Sequence, residues 1–249
     1  MAINLQSLQK NQSRPPRIII HSQPGLGKTT FGASAPSPVF ILTEEGLGNL
    51  EATAFPLAKL FSDVMEAVAS LYTEAHEFKT CVIDSLDWLE PLIWQEVCRT
   101  NHVDSIEKMS YGRGYTEALG IWRQFFDGIT ALRDDRGMTI VMTAHSEQKR
   151  VEDPMLPAYD THDLKLHKRA AALAEEFADV ILFAAQQTNT VTEDAGFNNK
   201  RVRATTTGLR VIHTVGQPAF LAKNRFNLPP VLPLTWTDFA AAMPGGTAA

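Results

Sequence analysis

Residues Arg17 to Thr30 read RIIIHSQPGLGKTT, and no other stretch of the chain restricts the fold as much. A β-branched apolar run leads into a glycine-rich turn and then Lys-Thr, which is the strand–loop–helix context of a phosphate-binding loop. The order has a physical reason. The strand fixes the loop, the loop turns successive backbone N–H groups toward phosphate oxygens, and the helix start adds its dipole. The expected cradle is Gln23, Pro24, Gly25, Leu26, Gly27, Lys28, Thr29 and Thr30. Lys28 is expected at the β and γ phosphates and the Thr29 hydroxyl on Mg²⁺, so ATP and Mg²⁺ are the expected cofactors. The full pattern is G-x-x-x-x-G-K-[ST], and Ser22 stands where the first glycine belongs. That exchange is expected to cost about 1 kcal/mol if the backbone there needs glycine geometry. The competing reading is a plain glycine-rich turn, and the strand before it and the Lys-Thr after it weigh against that.

A chain of 249 residues with 44% hydrophobic and 20% charged residues is an ordinary globular protein of one large domain or two small ones. No apolar run has the length of a membrane span, and the first residues lack a signal-peptide layout. A cytoplasmic location without membrane contact is therefore expected. The cysteines, Cys81 and Cys98, are expected to be reduced. His162 and His167 flank a basic stretch and are expected at the surface rather than on a metal. A net charge of −5 argues against constitutive charge-driven binding of nucleic acid. It leaves room for a local basic groove, since Lys149-Arg150, Lys168-Arg169, Lys200-Arg201, Arg203, Lys223 and Arg225 all lie in the second half.

Residues 1–16 are polar, end in Pro15-Pro16 and are expected to form a flexible leader; 241–249 are expected to form a disordered tail. Between them, residues 17–240 are expected to form one α/β domain. Strands are expected over 17–21, 39–43, 80–83, 139–144 and 180–184. Helices are expected from Lys28, over 63–71 with Asp63 and Glu66 as a capping box, over 86–99, over 116–134 and over 166–178. In the fourth of these, Trp122, Phe125, Phe126, Ile129 and Leu132 follow a helical period and read as core. Residues 188–215 are rich in Thr and Val, and predict antiparallel hairpins with turns at Asn198-Asn199 and Gly208. Alternating strands and helices followed by hairpins indicate a mostly parallel sheet with an antiparallel edge.

Cys81-Val82-Ile83-Asp84 is an apolar strand ending in an acid. Such a strand delivers a carboxylate to the C-terminal edge of the sheet, where open α/β sheets bind nucleotides. Asp84 is the expected second Mg²⁺ ligand; the alternative is a helix cap, a task open to Ser85 and Asp87. Glu44 and Glu45 follow the second strand, and Glu44 is the better candidate to polarise an attacking water. His145, beside Ser146 and Gln148, ends the fourth strand where a polar group can sense a γ-phosphate or simply cap a loop.

The set PGLGKTTF, ILTEEGLGNL, CVIDSLDWLE, YGRGY, MTAHSE and AKNRFNLP resembles the phage-type RecA-like AAA ATP-binding proteins, some of which anneal single strands in recombination. The resemblance runs from about residue 17 to 230 and implies a RecA-like P-loop NTPase core. It implies Glu44 as catalytic glutamate, His145 or Gln148 as sensor, and residues 146–163 as a mobile DNA-binding loop carrying Lys149 and Arg150. It implies Lys223 and Arg225 as basic fingers on the ATP of an adjacent subunit, within a homo-oligomeric ring or filament. Single-stranded DNA is the implied partner, with a single-strand DNA-binding protein as a further one. In YGRGY, Tyr111, Arg113 and Tyr115 mix aromatic and basic groups as single-strand binders do, or form a turn packed on the long helix. The alternative function is a nucleotide-switched module with slow hydrolysis that acts through a protein partner in replication. A small-molecule kinase ranks last, because no arginine-rich lid lies between Asp84 and His145.

Overall fold

The computed structural model describes residues 14–155, 157–194 and 200–245, with the backbone alone between 188 and 207. Residues 1–13 of the leader, the Asn198-Asn199 turn, the side chains of Lys200, Arg201 and Arg203, and residues 246–249 lie outside the described residues.

β1 (Arg17–Ser22) carries Ile18, Ile19 and Ile20, all fully buried. Residues alternate across a strand, so Ile18 and Ile20 enter one core and Ile19 the other. The same split occurs in β2 (Pro38–Leu42), β3 (Thr80–Asp84) and β4 (Thr139–Val151). Apolar residues on both faces require cover on both faces, as parallel sheets do. On one side lie α2 (Phe61–Thr73), α3 (Leu86–Asn101), α4 (Arg113–Arg136) and α5 (Lys168–Phe177). On the other lie α1 (Lys28–Ala33) and α6 (Trp236–Ala242).

The sheet runs β2-β3-β4-β1-β6-β7-β9, where β6 is Val180–Asp194, β7 is Lys200–His213 and β9 is Val231–Pro233. β2, β3, β4, β1 and β6 are parallel; β7 and β9 are antiparallel. β4 thus lies between the loop-bearing β1 and the acid-bearing β3. β5 (Tyr159–Leu164) pairs with the outer half of β4, and β8 (Lys223–Asn224) with the start of β6.

The expected mostly parallel sheet with C-terminal antiparallel strands is present, and so is the core stripe of α4, which stops at Gly137 in the left-handed region at φ 68°. Several local expectations need correction. Residues 146–151 and 159–164 pair as the antiparallel strands of a β-hairpin rather than lying in an irregular loop, with Gln148 opposite His162 and Arg150 opposite Asp160. Gly208 is not a turn. It sits inside β7 at φ 78°, where the register shifts between Gln186 and Thr188, so it supports a bulge. In α2 the helix starts two residues earlier, and the Asp63 carboxylate accepts from the N–H groups of Lys59 and Leu60; Glu66 takes no part in this cap. Arg14 to Pro16 lie on the domain: Arg14 pairs with Asp134 at 3.0 Å and the Pro16 carbonyl accepts from Ile140 N–H at 3.1 Å.

Candidate active site

The loop between β1 and α1 holds Gly25 at φ 79° and Gly27 at φ 106°. Both angles are costly for side-chain-bearing residues, so the glycines set the loop's shape. Ser22 is different. It is the last residue of β1, pairs with His145 of β4 and does not have a positive φ. The expected glycine-replacement cost therefore does not arise. Its hydroxyl donates to the Gln23 carbonyl at 2.7 Å.

Lys28 opens α1 and is buried, with Nζ 3.4 Å from Ser22 Oγ and 3.5 Å from the Ser22 carbonyl. Burial pushes its ammonium below the usual lysine range, and the carboxylates of Asp87, Asp84 and Glu44 pull it back up. An ammonium so desolvated gains strongly from a phosphate. Thr29 Oγ1 donates to Asp84 Oδ2 at 2.9 Å, so the sequence-distant pair expected to share a metal is in contact. Two adjacent hard oxygens, one of them a carboxylate, suit Mg²⁺, which otherwise keeps waters and phosphate oxygens. The residues fit the ion.

Asp84 does not cap α3. Its other oxygen, Oδ1, accepts a hydrogen bond from the Thr143 hydroxyl on the neighbouring strand β4. Ser85 holds the N-cap position without a side-chain cap bond, and Asp87 turns toward β4. The Asp87 carboxylate accepts from the His145 backbone N–H and contacts His145 Nδ1, each at 2.9 Å. Burial pushes the Asp87 carboxyl up, but the hydrogen bonds from the His145 side chain and backbone outweigh it and hold it below the usual range.

Glu44 is half-buried and Glu45 is exposed. Glu44 Cγ and Asp84 Oδ2 lie 3.8 and 3.5 Å from the position a Cβ on Gly46 would take, so the two acids face one small space. Thr43 holds that geometry: its N–H bonds the Asp84 carbonyl at 2.9 Å, and its hydroxyl bridges the carbonyl and N–H of Ser85 at 2.7 and 2.8 Å. Lys28, Thr29, Glu44, Asp84 and His145 therefore converge at one sheet edge. Thr43 and Thr143 do not stand out in the sequence. Their signal is a threonine near the end of an apolar run, which is weak alone.

The remaining candidates lie elsewhere. Lys223 and Arg225 sit at the start of β6, opposite the edge that carries their own chain's loop. Lys223 Nζ bonds the Glu175 carbonyl at 2.6 Å, and Arg225 pairs with Asp179 at 3.0 Å. Lys149 pairs with Asp163 at 3.0 Å and Glu147 at 3.3 Å, and Arg150 lies 3.8 Å from Asp160. Arg113 pairs with Glu117 at 2.6 Å. Tyr111 is fully exposed, whereas Tyr115 stacks on His167 at 4.4 Å and meets Trp94 edge-on. The two histidines expected at the surface are packed instead: His167 against Tyr115, and His162 against Phe183 at 5.4 Å. Among the described residues, no group of three or more His, Cys, Asp or Glu side chains is arranged to hold a metal.

A glycine-rich loop at the C-terminal edge of a parallel sheet, with Lys28, Thr29 and Asp84 gathered there, defines the P-loop NTPase fold. The chain belongs to the AAA domain family, whose model matches residues 14–226. Membership makes it a nucleotide-binding P-loop ATPase in the broad sense. No curated protein matches the chain. No helix among the described residues is long and apolar enough to cross a membrane.

Proposed function

We propose that the protein is an ATPase that acts on single-stranded DNA, with ATP held between subunits of a homo-oligomer. One observation carries the reading: β4 runs unbroken from Thr143, bonded to Asp84, through His145 into the β4–β5 hairpin that bears Lys149 and Arg150. A change at the phosphates therefore has a rigid route to a surface that projects from the core. The Arg150–Asp160 pair is long and exposed on both sides, which makes it weak and open to exchange for a phosphate.

Within the site, Lys28 neutralises phosphate charge, Thr29 and Asp84 are the residues that would hold Mg²⁺, and Glu44 orients the attacking water. Bound Mg²⁺ supplies charge neutralisation at the phosphate oxygens. Lys223 and Arg225 cannot serve the loop of their own chain from the opposite edge, which supports the reading that they serve a neighbour's. A cation supplied in trans would make turnover depend on assembly.

The test is ATP turnover with and without single-stranded DNA, for the wild type and for Lys149→Glu/Arg150→Glu. Stimulation by DNA that the double variant loses, with unstimulated turnover retained, is the expected result. Equal turnover with and without DNA would remove the DNA part of the reading. Loss of all turnover in Lys28→Ala, with an unchanged melt, checks the ATPase part.

A further inference from the structure

Gly27 closes the phosphate loop, and the place where its Cβ would stand faces Arg210 Nη1 at 3.3 Å and Leu234 Cδ2 at 3.7 Å. Arg210 lies on β7 opposite Gln186, and its carbonyl accepts from the Leu234 N–H at 3.0 Å. The antiparallel edge of the sheet thus brings a guanidinium against the backbone of a loop from the other end of the chain. Arg210 is exposed, and among the described residues it forms no ion pair with a carboxylate. Lys149, Arg150 and Arg225, also in the second half, all have acidic partners.

The position matters as much as the charge. Asp84 and Thr143 reach the loop from the β3–β4 side, whereas Arg210 reaches it from the β6–β7 side. The loop is therefore flanked by an acid on one side and, on the other, by a guanidinium with no carboxylate partner among the described residues. A guanidinium offers a planar fork that matches two phosphate oxygens, which an ammonium does not. Glycine at position 27 keeps the approach open, because a side chain there would both strain the loop and meet Arg210.

We propose that Arg210 contacts the phosphate chain of the nucleoside di- or triphosphate held by its own subunit, on the side away from Asp84. The proposal rests on the nucleotide-binding reading of the loop. It assigns a cation in cis, present in a single subunit, in contrast to Lys223 and Arg225. It also ties the base of the β6–β7 hairpin to nucleotide occupancy.

The experiment is equilibrium binding of fluorescent ADP and ATP analogues to the full chain, for wild type, Arg210→Ala, Arg210→Lys and Lys28→Ala, with melts of each nucleotide-free protein. Arg210→Ala is expected to weaken both nucleotides about tenfold, equivalent to about 1.4 kcal/mol. Arg210→Lys is expected to recover part of that loss, and the nucleotide-free melts are expected to coincide. Wild-type affinity in Arg210→Ala overturns this proposal alone. So does a lowered nucleotide-free melt in Arg210→Ala with no recovery in Arg210→Lys, which marks a structural residue. A wild type that binds neither nucleotide overturns the nucleotide reading and this proposal together.

Discussion

Glu90 sits in α3 at 5% exposure, and its carboxylate accepts from the His167 N–H at 2.9 and 3.2 Å. Burial pushes its pKa from 4.5 up to about 7; the His167 N–H and Lys149 oppose the rise, and Asp87 and Glu147 add to it. The folded state therefore holds this proton more tightly than the unfolded chain. Its contribution to stability is complete below 4.5 and is lost as pH rises from there through about 7. At 1.36 kcal/mol per pKa unit the loss is about 3 kcal/mol. Glu90→Gln keeps the shape and an acceptor for His167 but has no charge to bury. Urea unfolding of both proteins from about pH 4 to about pH 8 reads the effect as a difference. The two should match at the acid end, and the variant should be more stable by about 3 kcal/mol at the alkaline end. The wild-type profile alone is a poor readout because His21 acts in the opposite sense. His21 is fully buried, and burial lowers its pKa from 6.5 to about 4, so its stabilisation is lost as pH falls through that window. A difference between variant and wild type that stays constant with pH would refute the account of Glu90 as a buried, proton-holding acid.

Two further expectations concern the sheet edges. Thr143→Val removes the hydroxyl that orients Asp84, so steady-state turnover should fall about 100-fold, with little change in nucleotide affinity measured by titration. Asp179 receives the Arg17 backbone and guanidinium and also faces Arg133 at 3.6 Å and Arg225 at 3.0 Å. Asp179→Asn leaves Arg17 and Arg225 without a carboxylate partner among the described residues, while Arg133 keeps Asp134 at 2.7 Å, and chemical denaturation should show a loss of about 3 kcal/mol.

The β4–β5 hairpin shows where local reading runs out. Ser146-Glu147-Gln148-Lys149-Arg150 has no apolar alternation, because this half of β4 extends past the core and needs no buried face. Its order comes from the ladder to β5 and from pairs such as Lys149 with Asp163, which join residues with no local relation. Gly208 departs from expectation for a related reason: a glycine within a Thr- and Val-rich run suits a turn or a bulge equally, and only its pairing partner decides. The inner half of β4 is legible from its apolar run, which locates His145. Its partner Asp87 comes from α3 and is legible only as a candidate cap.

Local chemistry alone determined the loop, the parallel strands and their order along the chain. Phosphate binding by backbone needs glycines beside a strand end, and buried strands need unbroken apolar runs; both leave marks on neighbouring residues. The folded molecule decided which strand lies beside which. Inserting β4 between β1 and β3 put Thr143 on Asp84, and folding β7 and β9 back placed Arg210 beside Gly27. Such contacts arise from sheet order and register, which depend on how distant segments share a core, and no short window of residues encodes that.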